Sequence, residues 1–181
     1  MQLYLIRHPR PAVADGLCYG QTDLSLQESP TVAAVTLKPQ LPTDVPCFSS
    51  PLQRCRLLAE ALYPAPLLDE RLMEKHFGAW EMQPWDAIPR DGLDAWAEDP
   101  WDFCPPGGES VRQLQRRVAD FLRQYRHEPS LVLVTHGGVM KVLSGWAQAE
   151  PLAVWQARRF DYGALVSLDL PPSLLDSLLD H

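Results

Sequence analysis

Five residues of this 181-residue chain are of types that can move a phosphoryl group: Arg7, His8, Arg54, Glu74 and His136. A neutral imidazole can attack phosphorus, guanidiniums can hold its oxygens, and a carboxylic acid can protonate the departing alcohol. Their positions make them a set, because each follows a segment that reads as a β-strand. Arg7-His8 follows Gln2–Ile6, and Arg54 stands in the first turn of a helix after Val45–Ser49. Glu74 lies beyond a weaker strand at Leu67–Asp69, and His136-Gly137-Gly138 follows Leu131–Thr135. Alone, each has a plainer explanation. Arg7-His8 is a common dipeptide and Glu74 could be an ordinary loop acid. Arg56 competes with Arg54, and residues two apart on a helix do not share a face, so at most one meets a pocket. The two glycines after His136 are more suggestive, since a strand-to-helix turn there exposes backbone N–H groups to an anion.

Bringing these residues to one edge requires a parallel sheet, in which ligands gather beyond the carboxyl ends of the strands. Leu165–Leu170 is a candidate fifth strand. Between the strands, Ser50 reads as an N-cap with Pro51 at the first helical position, and Leu52, Cys55, Leu58, Ala59 and Leu62 make one face. A second helix from about Ser110 carries Val111, Leu114, Val118, Phe121, Leu122 and Tyr125 at helical spacing. Its Arg112, Arg116, Arg117, Arg123 and Arg126 read as a solvated face. A third helix runs from His136–Gly138 to about Ala147. Strands alternating with helices predict an α/β fold, a three-layer α/β/α sandwich with a mostly parallel central sheet. One domain over residues 1–181 is expected, with residues 80–108 as a lid or insertion.

The composition, 46% hydrophobic and 22% charged with a net charge of −7, is that of an ordinary globular protein. An acidic balance disfavours nucleic acid and membrane surfaces as partners. The apolar runs are too short to span a bilayer and no secretion signal is visible, so a cytoplasmic protein is expected. Most of the charge is local. Glu81, Asp86, Asp91, Asp94, Glu98, Asp99 and Asp102 face one base, Arg90, so this stretch carries −6 and the rest of the chain −1. Trp80, Trp85, Trp96 and Trp101 fall in or beside it. An acidic rim would repel a second anionic group on a substrate. The tryptophans would either stack on an aromatic ring or anchor the insertion to the core. The five histidines show no metal-binding spacing, the four cysteines form no CxxC pair, and no Gly-rich phosphate loop occurs, so neither metal nor cofactor is predicted. The tail Pro171–His181 could pack locally or against a second chain, and the oligomeric state stays open.

Leu5-Ile6-Arg7-His8, Ser49-Ser50-Pro51-Leu52-Gln53-Arg54, Arg71 to Glu81, Pro106-Gly107-Gly108-Glu109-Ser110 and Val134-Thr135-His136-Gly137-Gly138 together resemble the histidine phosphatase (phosphoglycerate mutase-like) superfamily. The segment from Gly16 to Leu26 is similar to the α-ribazole phosphatase branch. The resemblance implies a small phosphorylated substrate and a transient phosphohistidine at His8. Arg7, Arg54 and His136 would bind the phosphoryl oxygens, and Glu74 would protonate the leaving oxygen and then activate water. Pro9 stands where the family usually has Gly, and Ala14 where many members carry Asn. Arg10, Tyr19, Gly20, Gln21 and Gly137 are the candidate substrate-binding residues, with Arg10 or the Tyr19–Gln21 loop placed to replace the lost donors. Arg7 beside His8 is expected to keep the imidazole neutral. The implied activity is phosphomonoester hydrolysis. The alternatives are a phosphoglycerate mutase, a broad sugar phosphatase, or a phosphate-binding protein with weak turnover.

Overall fold

The computed structural model describes residues 1–177; Leu178 and Leu179 of the tail lie outside the described residues. Five strands, β1 (Gln2–Arg7), β2 (Cys47–Ser49), β3 (Leu67–Leu68), β4 (Ser130–Thr135) and β5 (Leu165–Asp169), form one sheet in the order β3-β2-β4-β1-β5. Every neighbouring pair is parallel except β1 and β5. The helices are α1 (Pro30–Leu37), α2 (Gln53–Leu62), α3 (Arg90–Glu98), α4 (Val111–Gln124), α5 (Gly137–Ala147), α6 (Leu152–Ala157) and α7 (Pro172–Ser177).

The central strands β1 and β4 are apolar at successive positions because both their faces are covered. Leu3, Leu5, Leu131 and Leu133 pack with Leu114, Val118, Phe121 and Leu122 of α4 and Val139, Met140 and Leu143 of α5. Ile6, Val132 and Val134 face the other way, onto Ala34 and Leu37 of α1 and Cys55, Leu58 and Leu62 of α2. The result is the expected three-layer α/β/α sandwich with a mostly parallel sheet. Register then sets the site. Arg7 pairs with Thr135 and Ser49 with Val134. The ladder runs one residue further, with His8 N–H donating to Thr135 O at 3.1 Å and Ser50 N–H to Val134 O at 3.0 Å. Residues 8, 50 and 136 therefore leave the sheet side by side.

Some local expectations are corrected. The helix carrying Arg54 starts at Gln53, with Leu52 and not Ser50 at its N-cap. Leu52 is extended (ψ 133°), and the Ser50 hydroxyl is engaged with His136 Nε2 at 2.8 Å. The second strand begins at Cys47, after Pro46, and the third shrinks to two exposed leucines at the sheet edge. Helix α1 carries no readable apolar stripe, because Val32 and Val35 point outward while Ala34 and Leu37 are buried. Helix α4 starts as expected, with Ser110 and Gln113 closing a reciprocal capping box. Its arginines are not all solvated. Arg117 turns inward and donates to the Arg71 and Glu74 carbonyls at 2.6 and 2.9 Å and to Glu109 at 2.7 and 3.0 Å.

Candidate active site

His8 leaves β1 almost fully buried. Its Nδ1 lies 2.7 Å from the Pro9 carbonyl, which can only accept, so Nδ1 carries the proton and Nε2 the lone pair. Proline at position 9 removes an N–H but keeps the carbonyl that sets this tautomer. Burial lowers the His8 pKa most, and the Arg54 and Arg7 charges lower it further, against the Pro9 carbonyl, to about 3. Arg7 lowers it as expected, but is the smallest of the three lowering causes. The ring is neutral across the physiological range.

Two guanidiniums flank it. Arg54 is fully buried; Nη1 donates to Thr22 O at 2.8 Å and Nη2 to Gly20 O, while Nε has no partner among the described residues. Arg7 donates from Nη1 to Phe160 O at 2.5 Å and lies 4.0 Å above the Tyr162 ring, with Nε again buried and unpartnered. Arg56 is at the surface, paired with Glu60 at 2.9 Å, so of the two helix arginines Arg54 belongs to the site. Buried donors without acceptors are costly, and two of them on neighbouring guanidiniums fit a site built for an anion.

His136 is the N-cap of α5, its ring centroid 5.1 Å from that of His8. Burial, then the nearby His8 and Arg54, hold its pKa well below the usual histidine value, so it too is neutral. Glu74 reaches the same place from the opposite loop: Oε1 accepts from Lys75 N–H at 2.8 Å and Oε2 from Gly138 N–H at 3.0 Å. The expectation that the two glycines leave their N–H groups for an anion is therefore corrected at Gly138, whose N–H is taken by Glu74. A Cβ at Gly138 would stand 2.1 Å from Glu74 Oε1, so a larger residue there would displace that carboxylate. Gly137 stays in the wall, beside Arg7. Among the described residues no three His, Cys, Asp or Glu stand close enough to hold a metal ion.

Residues 3–174 match the histidine phosphatase superfamily, branch 1. The chain belongs to that superfamily. It is 28% identical to the adenosylcobalamin/alpha-ribazole phosphatase of Escherichia coli K12 over 187 residues, covering 94% of this chain and 90% of that one. Among solved structures it resembles phosphoglycerate mutase from Thermus thermophilus, at 34% identity and a TM-score of 0.76 over 94% of both chains. A mycobacterial glucosyl-3-phosphoglycerate phosphatase is similar at 27% identity and a TM-score of 0.76, over 92% of this chain and 88% of that one. Membership supports a phosphatase or mutase acting on a phosphorylated substrate.

Beside this site opens a cavity of about 960 Å³; Arg7, Arg10, Tyr19, Glu74 and Gly137 line it, while the buried His8, Arg54 and His136 do not. Arg10 is exposed and paired with Asp15 at 2.5 Å. The Tyr19 hydroxyl meets that of Tyr162 at 2.7 Å, across the mouth. Gly20 and Gln21, candidates for substrate binding, are not among the residues that line the cavity. They stand behind it, where Glu81 accepts from the N–H groups of Gly20, Gln21, Thr22 and Phe77 and from the Thr22 hydroxyl, at 2.5–3.0 Å. Burial alone would raise the Glu81 pKa, but these donors outweigh it and hold it at about 2. The anchored loop presents the carbonyls of Gly20 and Thr22 that grip Arg54. A Cβ on Gly20 would fall 1.9 Å from the Lys75 carbonyl. Glu81, Arg117, Lys75 and Tyr162 carry no isolated motif that marks these roles, because their partners lie far away in sequence.

The acidic rim is the largest correction. None of the seven carboxylates lines the cavity. Glu81 faces inward, Asp94 pairs with Arg90, and Asp102 pairs with Arg112. The charged wall residues are instead mostly basic, with Lys75, Lys141, Arg158 and Arg159 joining Arg7 and Arg10 against Glu74 and Asp161. The tryptophans divide. Trp80 is buried against Phe103, and Trp101 packs on Trp155, so both serve as anchors. Trp85 and Trp96 line the cavity and stack on each other, with Phe77 at their edge.

Proposed function

We propose that the protein is a phosphomonoesterase acting through a phosphohistidine at His8, with an aromatic ribotide such as α-ribazole 5′-phosphate as its substrate. The observation that carries this reading is the neutral, buried His8 with Nε2 carrying its lone pair near two guanidiniums whose Nε groups lack partners among the described residues. Nε2 attacks phosphorus while the ester P–O bond breaks and Glu74 gives its proton to the leaving oxygen. Glu74, now a carboxylate, takes a proton from water. The hydroxide displaces His8, the P–N bond breaks, and phosphate leaves. Arg7, Arg54 and His136 hold the phosphoryl oxygens as negative charge spreads over them.

The aromatic wall of Phe77, Trp85 and Trp96 supports a flat leaving group, as does the similarity to an alpha-ribazole phosphatase. One observation favours a second reading. The cationic wall would tolerate a carboxylate, as in phosphoglycerate, so mutase activity is measured as 2-phosphoglycerate formation from 3-phosphoglycerate. Wild type should hydrolyse p-nitrophenyl phosphate, and His8→Ala should lose at least about 10³-fold in kcat. In a substrate panel, α-ribazole 5′-phosphate should exceed 3-phosphoglycerate and fructose bisphosphate in kcat/KM. An equal or reversed order refutes the aromatic specificity, and an inactive, folded wild type refutes the enzyme.

A further inference from the structure

Lys75 follows Glu74 and lines the same cavity, yet only 5% of it is exposed. Its Nζ has no hydrogen-bond partner among the described residues. It lies 4.7 Å from the ring centroid of Phe77 and 4.9 Å from that of Trp96, both wall residues. Two cation–π contacts offset part of the desolvation of an ammonium but accept none of its three N–H groups. Glu109, the carboxylate acting on it most strongly, is committed to Arg117 at 2.7 and 3.0 Å and to His76 N–H at 3.2 Å. A buried cation without an acceptor is among the most costly groups a fold can hold, and a ligand that brings the acceptor removes that cost.

We propose that Lys75 is a specificity residue whose ammonium donates to a hydrogen-bond acceptor on an aromatic leaving group lying against Phe77, Trp85 and Trp96. The acceptor is a heteroaromatic nitrogen or an exocyclic oxygen. Sequence adjacency makes the arrangement coherent: Glu74 serves the oxygen where the ester breaks, and Lys75 and Phe77 continue the wall along the group that departs. The inference deepens the phosphatase reading and rests on it. It adds that the leaving ring is recognised by a polar contact as well as by its flat face.

The test uses two nearly isosteric substrates with the same leaving hydroxyl, benzimidazole riboside 5′-phosphate and indole riboside 5′-phosphate. They differ by one ring nitrogen that only the first can offer as an acceptor. Wild type should favour the benzimidazole ester by about tenfold in kcat/KM, mostly through KM, as expected for one charge-assisted hydrogen bond. Lys75→Met should reduce that preference to under about twofold, whatever happens to the absolute rates; Lys75→Arg, which keeps a donor, should retain part of it. Lys75→Gln, measured beside Lys75→Met, guards against a folding defect in one variant. An unchanged preference in the folded Met and Gln variants overturns the proposal. Binding of both esters to His8→Ala and to His8→Ala/Lys75→Met, read by tryptophan fluorescence, separates this proposal from the phosphatase reading. If wild type turns over neither ester, the phosphatase reading fails. The Kd ratio then decides Lys75: about tenfold only with Lys75 present supports it, and equal ratios overturn it.

Discussion

The floor of the site is Arg7 and Glu74, which line the cavity, together with His8, Arg54 and His136, which are almost wholly buried and do not, each of the three tied to main chain or to a neighbouring side chain by contacts that the sheet register creates. Over it, the segment around α3 is held by rings packed on rings, Trp80 on Phe103 and Trp85 on Trp96, and by surface ion pairs such as Asp102–Arg112. The floor is polar, dry and positioned through backbone hydrogen bonds. The cap is aromatic and held by packing, which constrains direction less. Reaction chemistry tolerates little displacement, whereas choosing a leaving group requires only a complementary surface. Changes on the floor should therefore act on every substrate alike, and changes in the cap should depend on the leaving group.

Glu81 joins the two regions, and its substitution should have the largest effect on stability. Glu81→Gln keeps the shape but removes a charge that accepts five hydrogen bonds. A loss of about 3 kcal/mol in unfolding free energy is expected, with kcat falling on all substrates as Arg54 loses its grip. If only aromatic substrates suffered, Glu81 would belong to the cap.

The acid side of the stability curve reports on the floor. Unfolded histidine takes a proton near pH 6.5, but His8 in the fold does not until about pH 3. Between those values the unfolded chain binds more protons, so stability falls as pH falls, by up to about 1.4 kcal/mol per unit from His8. The depressed Glu81 adds its own loss only below its ordinary value of 4.5, leaving pH 6.5 to 4.5 to the buried histidines. His8→Gln should flatten the urea-derived slope in that window. The same slope in both proteins would mean that His8 is not held neutral by the fold.

Trp96→Ala should raise KM for aromatic ribotides by about tenfold and leave glycerol phosphate nearly unchanged. A fall in kcat on both would place Trp96 with the floor. At the small end, Arg56→Ala should change stability by less than about 0.5 kcal/mol and activity not at all, because its ion pair with Glu60 is a surface pair. Activity lost there, and not at Arg54, would exchange the assignments of the two arginines.

The floor was legible in the sequence because strand ends of a parallel sheet converge, so short apolar runs located His8, Arg54, Glu74 and His136 without any tertiary information. The anchoring role of Glu81 was not. Glu81 lies 60 residues from Gln21, and nothing local distinguishes a carboxylate buried among five donors from one on a rim. Counting acids therefore suggested an acidic rim where the wall is basic. Lys75 was hidden for the same reason, because its burial depends on the packing of Phe77 and Trp96. Helix α1 escaped because its valines face solvent.

Rapid-mixing kinetics of Glu74→Ala with p-nitrophenyl phosphate test most directly whether His8 Nε2 is the nucleophile. Nitrophenolate departs without an acid, while water attack lacks its base, so the phosphoenzyme should accumulate. A stoichiometric burst of nitrophenol is expected, with phosphohistidine found at His8 after a denaturing quench that avoids acid. Linear release without a burst, or a phosphoryl group on any other residue, would contradict it.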